Sequence, residues 1–250
     1  MDHDAIGARP RSDEQAARVV PLKSLDLAYV PRRWPFAENR KDEIDAHFAA
    51  LKRAKPALWN GEVLMLGARS VAEEVFTGSY FPVSYASFLA WRDWGYPDQN
   101  VWDCFAMGAI RGSDGAFVLG EMAPSTANPG LIYFPCGTPD RNDIVADKVD
   151  LEGSIKRELM EETGLDIAEF AADAGWVTVF AGPWIANFKL LQSRDTAAVL
   201  RQRLVKHLAR QDRPELADIR IVRGPADIGP MIPPHVVAYL RHAWRQYACA

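Results

Sequence analysis

The stretch RELMEETGL, from Arg157 to Leu165, places four charged side chains within six residues, and three of the four are acidic. Asp150 precedes the stretch as a candidate N-cap, and Gly164 stands where a left-handed helix stop is favoured. The pattern therefore predicts a helix over residues 151–162. The question is whether its acidic cluster is a solvated face or holds a cation.

The directions of the side chains on a helical wheel distinguish a solvated face from a cation site. Leu151, Ile155 and Leu159 form one apolar stripe that must face a core. Glu158 and Glu162 project within about 20° of Leu151, so they lie inside the buried arc or at its margin. Two carboxylates near an apolar surface repel each other and lose hydration, and they need protons or cations as compensation. The spacing predicts a divalent metal site.

Oxygen ligands of this kind suit Mg²⁺ or Mn²⁺ better than zinc, and magnesium commonly shares its shell with waters and substrate phosphates. Arg157 and Glu161 form a second pair with i, i+4 spacing on the flanking side of the helix. We expect them to form an ion pair that fixes the helix beside the metal.

RELMEETGL is similar at every position to the second half of the signature of the Nudix hydrolases: Arg-Glu, an aliphatic residue, any residue, Glu-Glu, any residue, Gly, an aliphatic residue. Upstream, YFPCG resembles the strand and turn that open the same signature, where the family reads Pro-Gly-Gly. Gly137 matches the family's glycine, and Cys136 replaces its neighbour. The resemblance implies that Glu158 and Glu162 are the main metal ligands, that Glu161 pairs with Arg157, and that the backbone carbonyl near Cys136 helps to bind the cation.

The middle of the signature departs from the family pattern. The family has a glutamate six residues after the glycine and eight before the arginine, whereas here Asp143 follows Gly137 by six and Val149 precedes Arg157 by eight. The loop is therefore six residues longer. Four carboxylates are candidates for the missing glutamate: Asp143, Asp147, Asp150 and Glu152. A further carboxylate from a later loop often acts as ligand or base in the family, and the candidates are Glu215, Asp218 and Asp227.

The resemblance also implies the fold: α/β, a Nudix-type α/β/α sandwich with a mixed sheet over residues 99–250, preceded by an α+β N-terminal extension over residues 19–98. Residues 1–18 are predicted to be a disordered leader. Such extensions complete a substrate site or form a dimer interface, so a homodimer is one expectation.

An aromatic segment, YASFLAWR, lies within the extension and weakly resembles the extensions of Nudix enzymes that act on nucleotide sugars. Phe88, Trp91 and Arg92 are the candidate base or sugar contacts, with Gly137 beside the phosphates, because flat rings stack on bases. The alternative for Phe88 and Trp91 is a buried amphipathic helix.

The remaining elements follow from periodicity and turn residues. Helices are predicted around Ile44, Phe48 and Leu51, in DTAAVLRQRLVKHLARQ, and in the tail from Pro233 onward. Strands are predicted after Asn60-Gly61, on both sides of the Ser113-Asp114-Gly115 turn, at Leu131 to Phe134, and on both sides of Gly182-Pro183.

Composition excludes several classes of protein. The 250 residues carry a formal net charge of −4 and form no basic stripe, which argues against nucleic acid as a partner and against decapping or RNA processing. No apolar run of about 18 residues is present, so membrane insertion is not expected. Three widely spaced cysteines, Cys104, Cys136 and Cys249, suggest neither disulfides nor zinc and fit a cytoplasmic protein. Cys136 as a nucleophile lacks an evident histidine partner.

The resemblance implies a pyrophosphohydrolase that uses Mg²⁺ or Mn²⁺ and water to attack a diphosphate joined to a nucleoside and another group, such as a nucleotide sugar or ADP-ribose. The alternative is a catalytically degenerate Nudix-fold module that binds a nucleotide without turning it over, because the middle of the signature is altered.

Overall fold

The structure is a computed structural model that describes residues 17–56 and 58–247. The predicted leader lies outside the described residues except for its last two positions, and Arg18 already begins a strand. Cys249 also lies outside them. The strands are β1 (Arg18–Leu22), β2 (Ser24–Tyr29), β3 (Glu62–Ala72), β4 (Val75–Ser84), β5 (Asp103–Arg111), β6 (Phe117–Met122), β7 (Ile132–Tyr133), β8 (Ile144–Val145), β9 (Lys148–Val149), β10 (Ala171–Ala172), β11 (Trp176–Ala181), β12 (Trp184–Gln192) and β13 (Leu216–Val222).

Six α-helices connect these strands in the described part of the chain. They are α1 (Pro35–Asn39), α2 (Lys41–Ala54), α3 (Tyr85–Asp93), α4 (Leu151–Thr163), α5 (Ala197–Leu208) and α6 (Pro234–Tyr247). The helices and strands predicted from periodicity are confirmed, with ends that differ by a few residues. The charged stretch of α4 is thus part of a helix, as its caps and apolar stripe predict.

The larger sheet is mixed and runs in the order β1-β11-β12-β5-β6-β13, with β10 beside β12 and β7 beside β6. Strands β12 and β5 pair in parallel over nine positions, from Trp184↔Asp103 to Gln192↔Arg111, whereas the neighbouring pairs are antiparallel. The smaller sheet has the order β3-β4-β2-β9-β8.

Helices cover both faces of the larger sheet. Gly108 on β5 leaves room for Leu191 of β12 and Ile155 of α4, because a Cβ at Gly108 would lie 3.0 and 3.1 Å from their side chains. Tyr239 of α6 stacks on Phe188 of β12 with ring centroids 4.1 Å apart. Phe188 and Leu191 are an odd number of residues apart and so point to opposite faces. The mixed α/β/α sandwich is confirmed.

The predicted N-terminal extension and the predicted Nudix-type domain each contribute a strand to the sheet of the other. Strand β1 pairs with β11 of the larger sheet, and β9, from the lengthened loop of the signature, pairs with β2 of the smaller sheet. The loop's end therefore docks on the extension instead of protruding into solvent. Among the described residues, no helix combines the length and the hydropathy needed to cross a membrane.

Candidate active site

Helix α4 has the predicted ends. The Asp150 side chain accepts a hydrogen bond from the Gly153 N–H at 2.9 Å, which caps the first turn. At the other end Gly164 has φ of +69° and donates its N–H to the Met160 carbonyl. The N-cap and the left-handed C-cap thus fix the two ends of α4, between which the acidic residues lie.

Glu158 and Glu162 both turn inward, as the helical wheel predicts. Glu162 is only 5% exposed, and its Oε2 has no hydrogen-bond partner among the described residues. The Glu158 side chain is 15% exposed. A buried carboxylate oxygen without a donor costs free energy unless a proton or cation neutralises it. The pair therefore has the character of an incomplete ligand set.

The electrostatics of this pair agree with its burial. Burial raises the pKa of Glu158 to about 7 against the opposing effect of Arg157, and the charges of Glu161 and Glu215 raise it further. Burial, followed by the charges of Glu158, Glu215 and Glu161, raises the pKa of Glu162 well above its ordinary value. Without a cation these carboxyls tend to hold protons. Their environment fits a divalent cation.

Arg157 does not pair with Glu161, and that prediction is wrong. Its Nη1 and Nη2 donate to Asp143 at 2.5 and 3.3 Å, and Nη2 donates to Glu158 Oε1 at 2.9 Å. The reason is that the long loop brings Asp143 beside α4. Both carboxylate oxygens of Asp143 accept hydrogen bonds from Arg157, and such a paired interaction is stronger than one with the exposed Glu161 on the same helix. Glu161 is exposed and lines the adjacent cavity instead.

The structure distinguishes the four carboxylates proposed for the missing signature glutamate. Asp143 is 2% exposed and holds Arg157, whereas Asp150 is the N-cap of α4. Glu152 is exposed and lies 3.4 Å from Lys189, and Asp147 is exposed. Asp143 is therefore the carboxylate that is connected to the acidic turn. It acts through Arg157, which in turn orients Glu158.

Gly137 packs directly against the Glu158 carboxylate. A Cβ at this position would lie 2.5 Å from Glu158 Oε1, so only glycine allows the loop and the carboxylate to approach this closely. Burial and the charges of Glu162 and Glu158 raise the pKa of the neighbouring Cys136 thiol well above its ordinary value. A neutral thiol is a poor nucleophile, which weighs against covalent chemistry at Cys136.

A cavity of about 350 Å³ opens at the acidic turn and contains one of the late carboxylates. Of the three candidates, Glu215 belongs to its lining, whereas Asp218 accepts a hydrogen bond from Arg201 and Asp227 accepts from the backbone of Arg223 and Gly224. The lining consists of Glu158, Glu161, Glu162, Gln211, Asp212, Arg213 and Glu215. This cavity is polar, and a neighbouring apolar hollow of about 540 Å³ shares only Arg213 with it.

Within residues 17–56 and 58–247, no three His, Cys, Asp or Glu side chains are gathered into a group ready to hold a metal ion. Glu158 and Glu162 nevertheless meet the chemical requirement for a metal site, since Glu162 Oε2 is buried and unpartnered among the described residues and lies on the same helix face as Glu158. A hard cation with waters in its shell needs only one or two carboxylates.

The aromatic residues of the extension occupy a different place from the one expected. Phe88 and Trp91 of α3 are 5% and 0% exposed, and the Trp91 indole donates to the Asp98 carbonyl at 2.8 Å. They pack in a core with Phe81 and Val83 of β4. The prediction that they contact a base is therefore corrected, and the alternative, a buried helix, is confirmed. Arg92 is half-buried and donates to Asp93.

Comparisons with known proteins give structural likenesses only. No protein-family model matches the chain, and no curated protein sequence matches it. Similar solved structures include the Nudix hydrolase RenU from M. smegmatis (17% identity, TM-score 0.38, 58% of this chain and 84% of that chain) and the MutT protein from Methanosarcina mazei Go1 (16%, 0.39, 58% and 95%). DR0079 from Deinococcus radiodurans is also similar (14%, 0.35, 56% and 75%). The chain thus resembles the Nudix hydrolases in its signature residues, and a solved Nudix hydrolase is among the structures similar to it.

Proposed function

We propose that the chain hydrolyses the diphosphate bond of a nucleoside diphosphate linked to a sugar or a similar group, with Mg²⁺ or Mn²⁺ as cofactor. The observation that carries the proposal is the pair Glu158 and Glu162 on α4, of which Glu158 is half-buried and Glu162 is buried with its Oε2 lacking a partner among the described residues. The RELMEETGL match to the Nudix signature supports the same reaction.

The chain's residues divide the work in the following way. Glu158 and Glu162 bind the cation, with the carbonyl near Cys136 as an additional ligand, and Gly137 leaves space for the Glu158 carboxylate. Asp143 and Arg157 orient Glu158 through their hydrogen bonds. A bound cation neutralises the anionic diphosphate and acidifies the attacking water.

The exposed groups of the cavity act on the substrate side. Glu161 and Glu215 are exposed carboxylates on its wall, and each is suited to accept a proton from water during attack. Arg213 is an exposed cation on the same wall and is suited to bind a phosphate oxygen. Both signs of charge are needed, since carboxylates alone would repel the substrate.

The test measures mononucleotide release from a panel of nucleotide sugars, ADP-ribose and dinucleoside polyphosphates, with Mg²⁺ or with a chelator. We expect metal-dependent turnover that falls more than tenfold in Glu158→Gln and in Glu162→Gln. Glu152→Gln is the matched control, because this exposed carboxylate lies on the same helix but outside the cavity. Full activity in both cavity variants would remove the assignment.

A second candidate function is a nucleotide-binding module without turnover. It is favoured by the altered middle of the signature, where Val149 stands eight residues before Arg157 in place of the family's glutamate, and by the replacement of the signature glycine with Cys136. Tight binding of a nucleotide sugar with no product in the presence of Mg²⁺ or Mn²⁺ would select the module over the hydrolase.

A further inference from the structure

The segment that joins α5 to β13 forms one wall of the acidic cavity. It comprises residues 209–215, which contain no helix or strand. Four of its side chains belong to the lining of the cavity: Gln211, Asp212, Arg213 and Glu215. The direction of a side chain in an irregular segment depends on how the backbone is held in place. The positions of Arg213 and Glu215 therefore depend on the contacts that fix this segment.

Two hydrogen bonds fix the segment, one near each of its ends. The Glu215 carbonyl accepts the Ala123 N–H at 2.8 Å, where β13 begins to pair with β6. Near the other end, the Gln211 side chain donates to the Glu161 carbonyl of α4 at 3.1 Å. Arg213 lies between these two points and is exposed. Gln211 thus joins the segment directly to the acidic helix.

The last turn of α4 leaves the Glu161 carbonyl available for this hydrogen bond. The last four carbonyls of an α-helix receive no N–H from within the helix. The Leu165 N–H, four residues after Glu161, donates to the Thr163 hydroxyl at 3.2 Å. The Gln211 amide therefore satisfies a carbonyl that the helix itself does not.

His207 is the second partner of the Gln211 amide and fixes its orientation. The amide nitrogen lies 2.9 Å from His207 Nε2. A carbonyl can only accept, so the amide must direct its NH₂ group towards Glu161. Its second N–H then requires a lone pair on His207 Nε2, which places the proton of the neutral imidazole on Nδ1. Rotation of the amide would break both hydrogen bonds.

The His207 ring is itself packed against the end of α4. A Cβ at Gly164 would lie 2.4 Å from His207 Nδ1, so the glycine lets the ring approach the end of the helix. His207 belongs to the last turn of α5, and Gln211 follows it by four residues. The end of α5 and the start of the segment are therefore both attached to the end of α4.

We infer that Gln211 is a positioning residue for the proposed reaction, because it holds residues 209–215 against α4 and so places Arg213 and Glu215 beside the glutamates. This inference rests on the proposed function, since it explains how the substrate side of the same cavity is fixed. Loss of the amide should act through Arg213 and leave the affinity for the cation unchanged. A substitution that only destabilised α4 would weaken cation binding instead.

Binding of inorganic pyrophosphate measures this effect without turnover. Isothermal titration in the presence of Mn²⁺ should show about tenfold weaker binding in Arg213→Ala, because a charge-assisted hydrogen bond is lost. Gln211→Met keeps the length of the side chain but has no N–H, and it should weaken binding about fivefold. The double variant should bind about as weakly as Arg213→Ala alone, because the two residues act together. Gln202→Met is the matched control, since Gln202 is an exposed residue of α5 outside the cavity.

The position of the imidazole proton tests the same arrangement in the unaltered protein. A long-range ¹H–¹⁵N spectrum at pH 8 should show His207 with its proton on Nδ1 and a lone pair on Nε2. Replacement of Gln211 by Met should remove this constraint on the tautomer. A proton on Nε2 in the wild type would exclude the hydrogen bond from Gln211 and overturn the inference, whether or not the variants fold.

Turnover then separates this inference from the proposed function. In Gln211→Met, kcat/KM for the substrate that is hydrolysed fastest should fall about tenfold, while the affinity for Mn²⁺ alone matches the wild type. Additive losses in the double variant, weaker Mn²⁺ binding in Gln211→Met, or a wild type that does not bind pyrophosphate would each overturn the positioning role. Coupled losses of pyrophosphate binding in a protein that turns over no substrate would support the positioning role and contradict the hydrolase.

Discussion

Removing the Asp143 carboxylate should cost more stability than removing any other carboxylate of the long loop. Asp143 is 2% exposed, accepts two hydrogen bonds from Arg157, and also accepts the Asp140 N–H at 2.9 Å. Truncating one partner of a buried ion pair leaves the other charge uncompensated, which costs about 3–5 kcal/mol. Arg157 is partly exposed and keeps its hydrogen bond to Glu158, which places Asp143→Ala near the lower value, about 3 kcal/mol.

Substitutions of the other three carboxylates considered for the missing signature glutamate should each cost less stability than Asp143→Ala. Asp150→Ala removes a helix cap and should cost about 1 kcal/mol. Glu152→Ala breaks an exposed pair and should cost under about 1 kcal/mol, and the exposed Asp147→Ala should stay within about 0.5 kcal/mol. Guanidinium chloride unfolding of the four variants measures the series. If Asp143→Ala unfolds no more easily than Asp150→Ala, the role assigned to the Asp143–Arg157 pair is refuted.

Three further substitutions test separate parts of the account. Gly164→Ala forces an L-residue to φ of +69° and brings its Cβ within 2.4 Å of His207 Nδ1, so it should lower the free energy of unfolding by about 1–2 kcal/mol in denaturant titrations. Burial lowers the pKa of His235 from 6.5 to about 4; the unfolded chain therefore binds the proton more readily, and stability present above pH 6.5 is lost as the pH falls towards 4. Between pH 7 and 5 the wild type should lose about 2 kcal/mol relative to His235→Leu, and parallel curves would contradict the buried neutral imidazole. Gly137→Ala would displace the Glu158 carboxylate, so Mn²⁺ affinity should fall about tenfold while the melting temperature changes little.

The ends of α4 and the direction of its glutamates could be predicted from the sequence, because they depend only on residues within the helix and its caps. The cap at Asp150, the stop at Gly164 and the inward direction of Glu158 and Glu162 follow from 3.6-residue periodicity and backbone sterics. The same rules failed for Arg157, whose partner depends on where a loop of unusual length folds back. No local pattern measures the distance between Asp143 and the helix.

The aromatic segment illustrates a second limit of sequence reasoning. Rings at helical spacing in α3 fit either a core or a binding shelf, and only the packing of α3 against β4 decides that Phe88 and Trp91 are core.

The location of Mn²⁺ in crystals of the protein, found by anomalous scattering, tests whether the two glutamates of α4 hold the metal. A peak is expected within about 2.0–2.6 Å of carboxylate oxygens from both Glu158 and Glu162, and it should be lost in Glu162→Gln. A metal-dependent enzyme whose manganese peak lies elsewhere, with both glutamates bound only to solvent, would contradict this assignment.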